Sequence, residues 1–209
     1  MEKLAIREEV ANSISHGLGL VLAIIAVPIL VLAAVRGGSV HFIVGASVFG
    51  GTIILLYLAS TLYHSIRHEV TKDICRLFDH TAIFLLIAGT YTPFSLGVLR
   101  GPWGWSLLAV IWTLAIVGIT LKIRKRTRHS RITIVLYVIM GWLAIVAVKP
   151  IVMLIPTPGI LLIFAGGLAY TGGLAFFAAH RIRYNHFIWH LFVIAGTTCH
   201  FFAVLWYAA

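Results

Sequence analysis

The sequence predicts an all-α integral membrane protein: a bundle of seven transmembrane helices, N-terminus cytoplasmic and C-terminus outside. Three observations predict it. Of the 209 residues, 61% are hydrophobic and only 11% charged, against about 25% charged in ordinary soluble domains, and mean hydropathy is +1.03. Apolar runs of roughly 20 residues, the length that crosses a bilayer as a helix, recur from end to end. Lys and Arg fall almost entirely in alternate connections, the mark of a chain threaded back and forth through a membrane.

The elements follow in order. The first span, Leu18–Val35, comes after a stretch holding Glu2, Glu8 and Glu9. Those acids do not form the basic leader of a signal peptide, so this span is expected to stay as an anchor behind a cytoplasmic segment, 1–17. Gly37-Gly38 punctuates the chain before the second span, His41–Tyr63. The third, His80–Leu99, begins at the polar pair Asp79-His80 and ends before Gly101-Pro102. The fourth, Trp103–Ile123, opens on Trp103 and Trp105, which suit the membrane interface. It leads into the basic run Lys122 to Arg131, read as a solvated loop touching anionic headgroups. Pro150 closes the fifth, Ile132–Val148, while Pro156 and Pro158 precede the sixth, Gly159–Ala179. The seventh, Phe187–Tyr207, ends beside Trp206. Pro28 and Pro93 lie inside spans and are expected to kink them. Gly50-Gly51, Gly166-Gly167 and Gly172-Gly173 are expected to let helices approach closely. No repeat argues for an inverted-repeat transporter. With no soluble portion left over, 1–209 reads as one transmembrane domain.

Charge sets the orientation. Thirteen of the sixteen Lys and Arg lie in the N-terminal stretch and the second, fourth and sixth connections. The other side has Arg36, Arg100 and Lys149, so the N-terminus is expected in the cytoplasm. A net charge of +10 would suggest nucleic acid in a soluble protein. In short loops between apolar spans it orients the chain instead, and no nucleic-acid partner is expected. Cys75 and Cys199 share no spacing that makes a disulfide framework or a thiolate metal site.

The polar residues gather by depth. Ser60 and His64 close the second span, Asp79 and His80 open the third, and His186 and His190 open the seventh. Glu9, Asn12 and His16 precede the first. All belong to the same end of their helices, so one layer can hold them. Both His186/His190 and Ser60/His64 are spaced i, i+4, which puts each pair on one helix face. A lone histidine at a span end is ordinarily interfacial or hydrogen-bonded. Three imidazoles with an open fourth position are instead the ligand set of catalytic zinc, and also suit copper, iron or nickel. His64, His186 and His190 are the expected ligands. Asp79 suits the role of orienting water or accepting its proton, and Ser60 of hydrogen-bonding the water, Asp79 or a tetrahedral intermediate. His41, His68, His129 and His180 are read as solvated. His200 lies about 15 Å beyond His190 along a straight helix, at about 1.5 Å per residue, and is read as a buried, hydrogen-bonded residue outside that site.

Five stretches carry a resemblance: Glu8-Glu9-Val10-Ala11-Asn12-Ser13-Ile14-Ser15-His16-Gly17, Ser60-Thr61-Leu62-Tyr63-His64, Phe78-Asp79-His80, Ala88-Gly89-Thr90-Tyr91-Thr92-Pro93, and Tyr184-Asn185-His186-Phe187-Ile188-Trp189-His190 with Cys199-His200. Together they resemble the bacterial hemolysin III family, which belongs with the progestin and adiponectin receptors. The resemblance covers essentially the whole chain. It implies seven helices, a cytoplasmic N-terminus and a zinc ion near the cytoplasmic face. In the adiponectin receptors an S-x-x-x-H motif, matching Ser60 and His64, supplies one zinc histidine. An H-x-x-x-H motif, matching His186 and His190, supplies two, and an aspartate matching Asp79 contacts the water on the metal. Ceramide hydrolysis is suspected of those receptors, and the superfamily includes alkaline ceramidases. This chain lacks the receptors' long N-terminal extension, so their ligand-receptor function is not implied.

The expectation is a membrane protein of a bacterial plasma membrane with zinc as cofactor, hydrolysing a lipid amide or ester. The lipid's chain would lie in an apolar cavity between helices. A second reading is a non-catalytic homeostasis or sensor protein in which metal staples the second and seventh helices. A third, a cytolytic pore-former, finds little support, because no span carries the repeated polar stripe of a conducting path.

Overall fold

The computed structural model describes residues 2–125, 131–179 and 181–209. Arg126, Arg128, His129 and His180 lie outside the described residues. The helices are α1 (Glu2–Arg36), α2 (Val40–Ser65), α3 (Glu69–Leu96), α4 (Pro102–Lys125) and α5 (Arg131–Gly141), a 3-10 turn over Leu143–Ala147, then α6 (Val148–Leu154), α7 (Thr157–Ala178) and α8 (Asn185–Tyr207). Seven segments among the described residues are long and apolar enough to cross a bilayer, the fifth running from Arg131 to Leu154 through the 3-10 turn. The fold is the expected all-α membrane bundle.

Helices α2 and α3 pack along each other at the centre, with α1 against α2, α4 against α3, and α7 against α8, while α8 also meets α1 and α3. Phe49, Leu30, Phe84 and Val204 are fully enclosed. The outer faces reverse the pattern of a soluble protein: Val21, Leu22, Ile25, Ile29 and Leu32 of α1 are all exposed. In water this would be a large apolar liability, and in a bilayer it is the lipid-facing surface. One glycine of each expected pair makes a close approach. A Cβ on Gly166 would sit 2.5 Å from the His200 ring, whereas one on Gly51 would meet nothing within 4 Å.

Three boundaries differ from the sequence reading. The first helix starts at Glu2 rather than Leu18. Its 35 residues reach about 50 Å at about 1.5 Å per residue, beyond a hydrocarbon core of about 30 Å, so its first turns project past the apolar zone and carry Glu9, Asn12 and His16 on a helix, not in a separate segment. The third helix starts at Glu69, where the His68 side chain accepts from the Thr71 amide. Asp79 is therefore well inside α3 rather than at its opening. The fifth span does not end at Val148. It breaks after Gly141 and resumes as α6, with Pro150 in the first turn, where the missing N–H is not required. The break is held from outside: the Tyr91 hydroxyl donates to the carbonyls of Met140 (2.9 Å) and Gly141 (3.1 Å) and accepts from the Ala144 amide (3.0 Å).

The basic run also differs from expectation. Lys122 is not in a solvated loop. It lies on α4, 5% exposed, facing Arg76 and Asp79. The hydrocarbon part of a lysine packs well while its charge seeks an acid, and Asp79 is the acid it faces.

Candidate metal centre

Antiparallel packing of α1 on α2, and parallel packing of α1 beside α8, bring the polar ends into one layer. His64 ends α2 and His186 and His190 begin α8. Their ring centroids form a near-equilateral triangle, with sides of 4.9 Å (His64–His186), 5.0 Å (His64–His190) and 4.7 Å (His186–His190). One nitrogen of each lies within 4.8 Å of the others. Ligands at about 2.0–2.1 Å from a tetrahedral zinc sit about 3.3 Å apart, so small side-chain rotations close the set.

Hydrogen bonds on the far sides of two rings show which nitrogens are left for a metal. His64 Nδ1 is 2.6 Å from a Glu9 carboxylate oxygen, and its Nε2 is buried with no hydrogen-bond partner among the described residues. His190 Nδ1 lies 3.2 Å from the Asn12 carbonyl and 3.0 Å from the Ser15 hydroxyl, which leaves its Nε2 for the interior. Histidine ligands ordinarily carry such partners on the nitrogen away from the metal. The donor set fits a zinc ion.

Approach of α8 depends on a strained turn. Tyr184, just before α8, takes left-handed backbone angles, φ 57 and ψ 24, which cost a non-glycine residue about 1–2 kcal/mol. Its amide donates to Glu8 at 3.0 Å, and the Asn185 side chain donates to the Phe176 carbonyl at 3.2 Å. These contacts fix the entry of α8 and hence the direction in which His186 and His190 project.

Behind the histidines lies a largely apolar cavity walled by α3, α5, α7 and α8, with Ser60, Asp79, His80, His186 and His190 at its polar end. Ser60 is fully enclosed and Asp79 is buried, and the two stand beside one another. A second cavity, reaching to Ile151 and Ile160, shares Thr90, Tyr91, Trp142 and His200 with the first. The walls include Val138, Gly141 and Thr171, all exposed on the bundle surface, so the gap between α5 and α7 reaches the lipid-facing side. On the other side of His64 is a polar cleft lined by Glu9, Ser65, Arg67 and Lys72. His64 thus stands between an apolar interior and a polar mouth.

All five expected site residues gather in this layer. His200 is apart from it: its Nε2 donates to the Ile163 carbonyl at 3.1 Å, as a buried, hydrogen-bonded residue should. His41 and His68 are exposed. Sequence reasoning placed Glu9 and Asn12 in this layer without a role, and missed Ser15 beside His190, Lys72 behind Glu9, and Lys122 facing Asp79. The signal available was the spacing of Glu9, Asn12 and His16, which falls on one face of a helix if the helix is extended back to that point.

The family described as Haemolysin-III related matches residues 4–201. The chain belongs to the haemolysin III family. It is 48% identical over 202 residues to a protein named Hemolysin-3 from Bacillus cereus, covering 97% of this chain and 92% of the relative. A Hemolysin-3 homolog of Bacillus subtilis (strain 168) is 46% identical over 202 residues, covering 97% and 95%. The human protein named Monocyte to macrophage differentiation factor is 27% identical over 169 residues, 76% of this chain and 68% of its own length. With these haemolysin III relatives and its seven apolar spans, the chain is a multi-pass protein of a bacterial cell membrane.

Proposed function

We propose that this haemolysin III protein is a zinc-dependent hydrolase of a membrane lipid amide or ester. Its N-terminus would be cytoplasmic, with the metal layer at the cytoplasmic face and 1–209 forming one transmembrane domain. The observation that carries the reading is the triangle of His64, His186 and His190 at the polar end of an apolar cavity that also holds Ser60 and Asp79. Zinc in such a site lowers the pKa of water toward about 7 and polarises a carbonyl. Asp79 would take the proton from the attacking water and return it to the leaving group. Ser60 would place that water or donate to the developing oxyanion. The cavity walls would exclude bulk water and hold the acyl chain.

The staple reading has one observation in its favour. The ligands come from α2 and α8, which face each other across α1 and α3, so a metal would tie two helices from opposite sides of that pair. The name of the Bacillus cereus relative raises lysis as a third reading, and the apolar cavity walls do not favour a conducting path.

Metal content of detergent-purified protein, measured by mass spectrometry beside His64→Ala and His186→Ala/His190→Ala, tests the centre. Stoichiometric zinc lost in the variants supports it, and well-folded wild type without metal overturns it. Asp79→Ala separates the first two readings. If the wild type hydrolyses a lipid amide or ester, zinc retained with hydrolysis abolished supports the enzyme. An equally active Asp79→Ala protein overturns the mechanism.

A further inference from the structure

The Glu9 carboxylate has both oxygens committed, and to different helices. Oε2 is 2.6 Å from His64 Nδ1 on α2, and Oε1 accepts from Lys72 Nζ on α3 at 2.9 Å. The His64 side chain is 3% exposed, while those of Glu9 and Lys72 are 37% and 26% exposed. Lys72 Nζ also lies 5.2 Å from the centre of the Tyr63 ring, which holds the ammonium in place from a second side.

An imidazole has two neutral tautomers, and only one of them suits this arrangement. With the proton on Nδ1, the ring donates to Glu9 and presents the lone pair of Nε2 to His186 and His190. With the proton on Nε2, a lone pair would face the carboxylate oxygen and the ring could not ligate from the inner side. The carboxylate therefore selects the ligating tautomer and fixes the ring plane, and its charge makes Nε2 a better donor to a cation. Lys72 keeps the carboxylate from rotating away.

We infer that Glu9 is a positioning residue of the metal centre, setting the tautomer and orientation of His64, and that Lys72 clamps it there. The inference rests on the metal reading above. It gives the first turns of α1, otherwise a lipid-facing helix, a defined chemical task.

The test is zinc affinity of the full-length protein in detergent, by competition with a chromophoric chelator. The variants are Glu9→Ala, Glu9→Gln, Lys72→Met and Glu9→Gln/Lys72→Met, each with its metal-free melting temperature. Glu9→Ala is expected to weaken zinc by about 10- to 100-fold. In Glu9→Gln, one amide oxygen faces two donors while its NH2 opposes one of them, so affinity also falls. Removing the second donor with Lys72→Met frees the amide oxygen for His64, so the double variant binds more tightly than Glu9→Gln alone. A general packing defect would make the two losses add instead. Should Glu9→Ala not fold, the Gln single and double variants carry the comparison. Zinc affinity of Glu9→Ala within twofold of wild type, or losses in Glu9→Gln and Lys72→Met that simply add in the double variant, overturns this inference alone. Wild type without zinc overturns the metal reading and the inference with it.

Discussion

The ring of His16 lies flat on the ring of His190, with centroids 3.5 Å apart and 8° between planes. His16 is 2% exposed and neither of its nitrogens has a hydrogen-bond partner among the described residues. The contact holds the ligand ring from its face while Asn12 and Ser15 hold its edge. A face-to-face stack this close gains less than an offset or edge-on pair, so the value of His16 is to wedge the His190 ring in place, and His16→Ala should weaken zinc binding. His16→Phe, which keeps a flat ring, should bind zinc close to wild type. A loss in the Phe variant as large as in the Ala variant would mean that the His16 nitrogens, not its plane, matter.

Ser60 and Asp79 make no direct ligand in the proposed centre, so zinc and hydrolysis should separate at these positions. Asp79→Asn and Ser60→Ala are expected to retain stoichiometric zinc. If Asp79 transfers the proton, turnover of the lipid in Asp79→Asn should fall by about 10²–10⁴, with a smaller fall in Ser60→Ala. Parallel measurement of zinc content and product release checks both.

Metal removal should cost stability. Zinc at about 100 times its dissociation constant adds about 2.7 kcal/mol to the folded state. Chelation should lower the wild-type melting temperature and leave His64→Ala and His190→Ala unchanged, since they have nothing to lose. An identical shift in the variants would place the chelator's effect elsewhere.

Helix packing gives a prediction independent of function. Gly166→Ala puts a methyl against the His200 ring, whereas Gly51→Ala adds one in open space. Overpacking costs about 1–3 kcal/mol. Gly166→Ala should therefore melt several degrees lower than wild type, and Gly51→Ala, within α2, should melt no lower than wild type.

Hydropathy made the seven spans legible, and histidine spacing made the grouping of His64, His186 and His190 legible, because i, i+4 pairs report a helix face wherever the helix sits. What stayed hidden was decided by partners distant in sequence. Nothing about Leu143–Ala147 marks a helix break, since every residue there is apolar. The break depends on the Tyr91 hydroxyl bonding into it from α3. The polar stretch before Leu18 reads as a tail until Glu9 and Asn12 find His64 and His190 across the bundle. Lys122 sits in a run of cations that resembles a loop, and only packing of α4 on α3 sets it toward Asp79.

The gap between α5 and α7, bounded by Val138, Gly141 and Thr171, has a kinetic consequence for any lipid that uses it. Such a molecule reaches the cavity without leaving the bilayer, in a two-dimensional search. Its effective concentration is a mole fraction among neighbouring lipids, not an amount per volume of water. Half-saturation would then follow surface dilution: adding inert lipid slows the protein, and adding buffer does not.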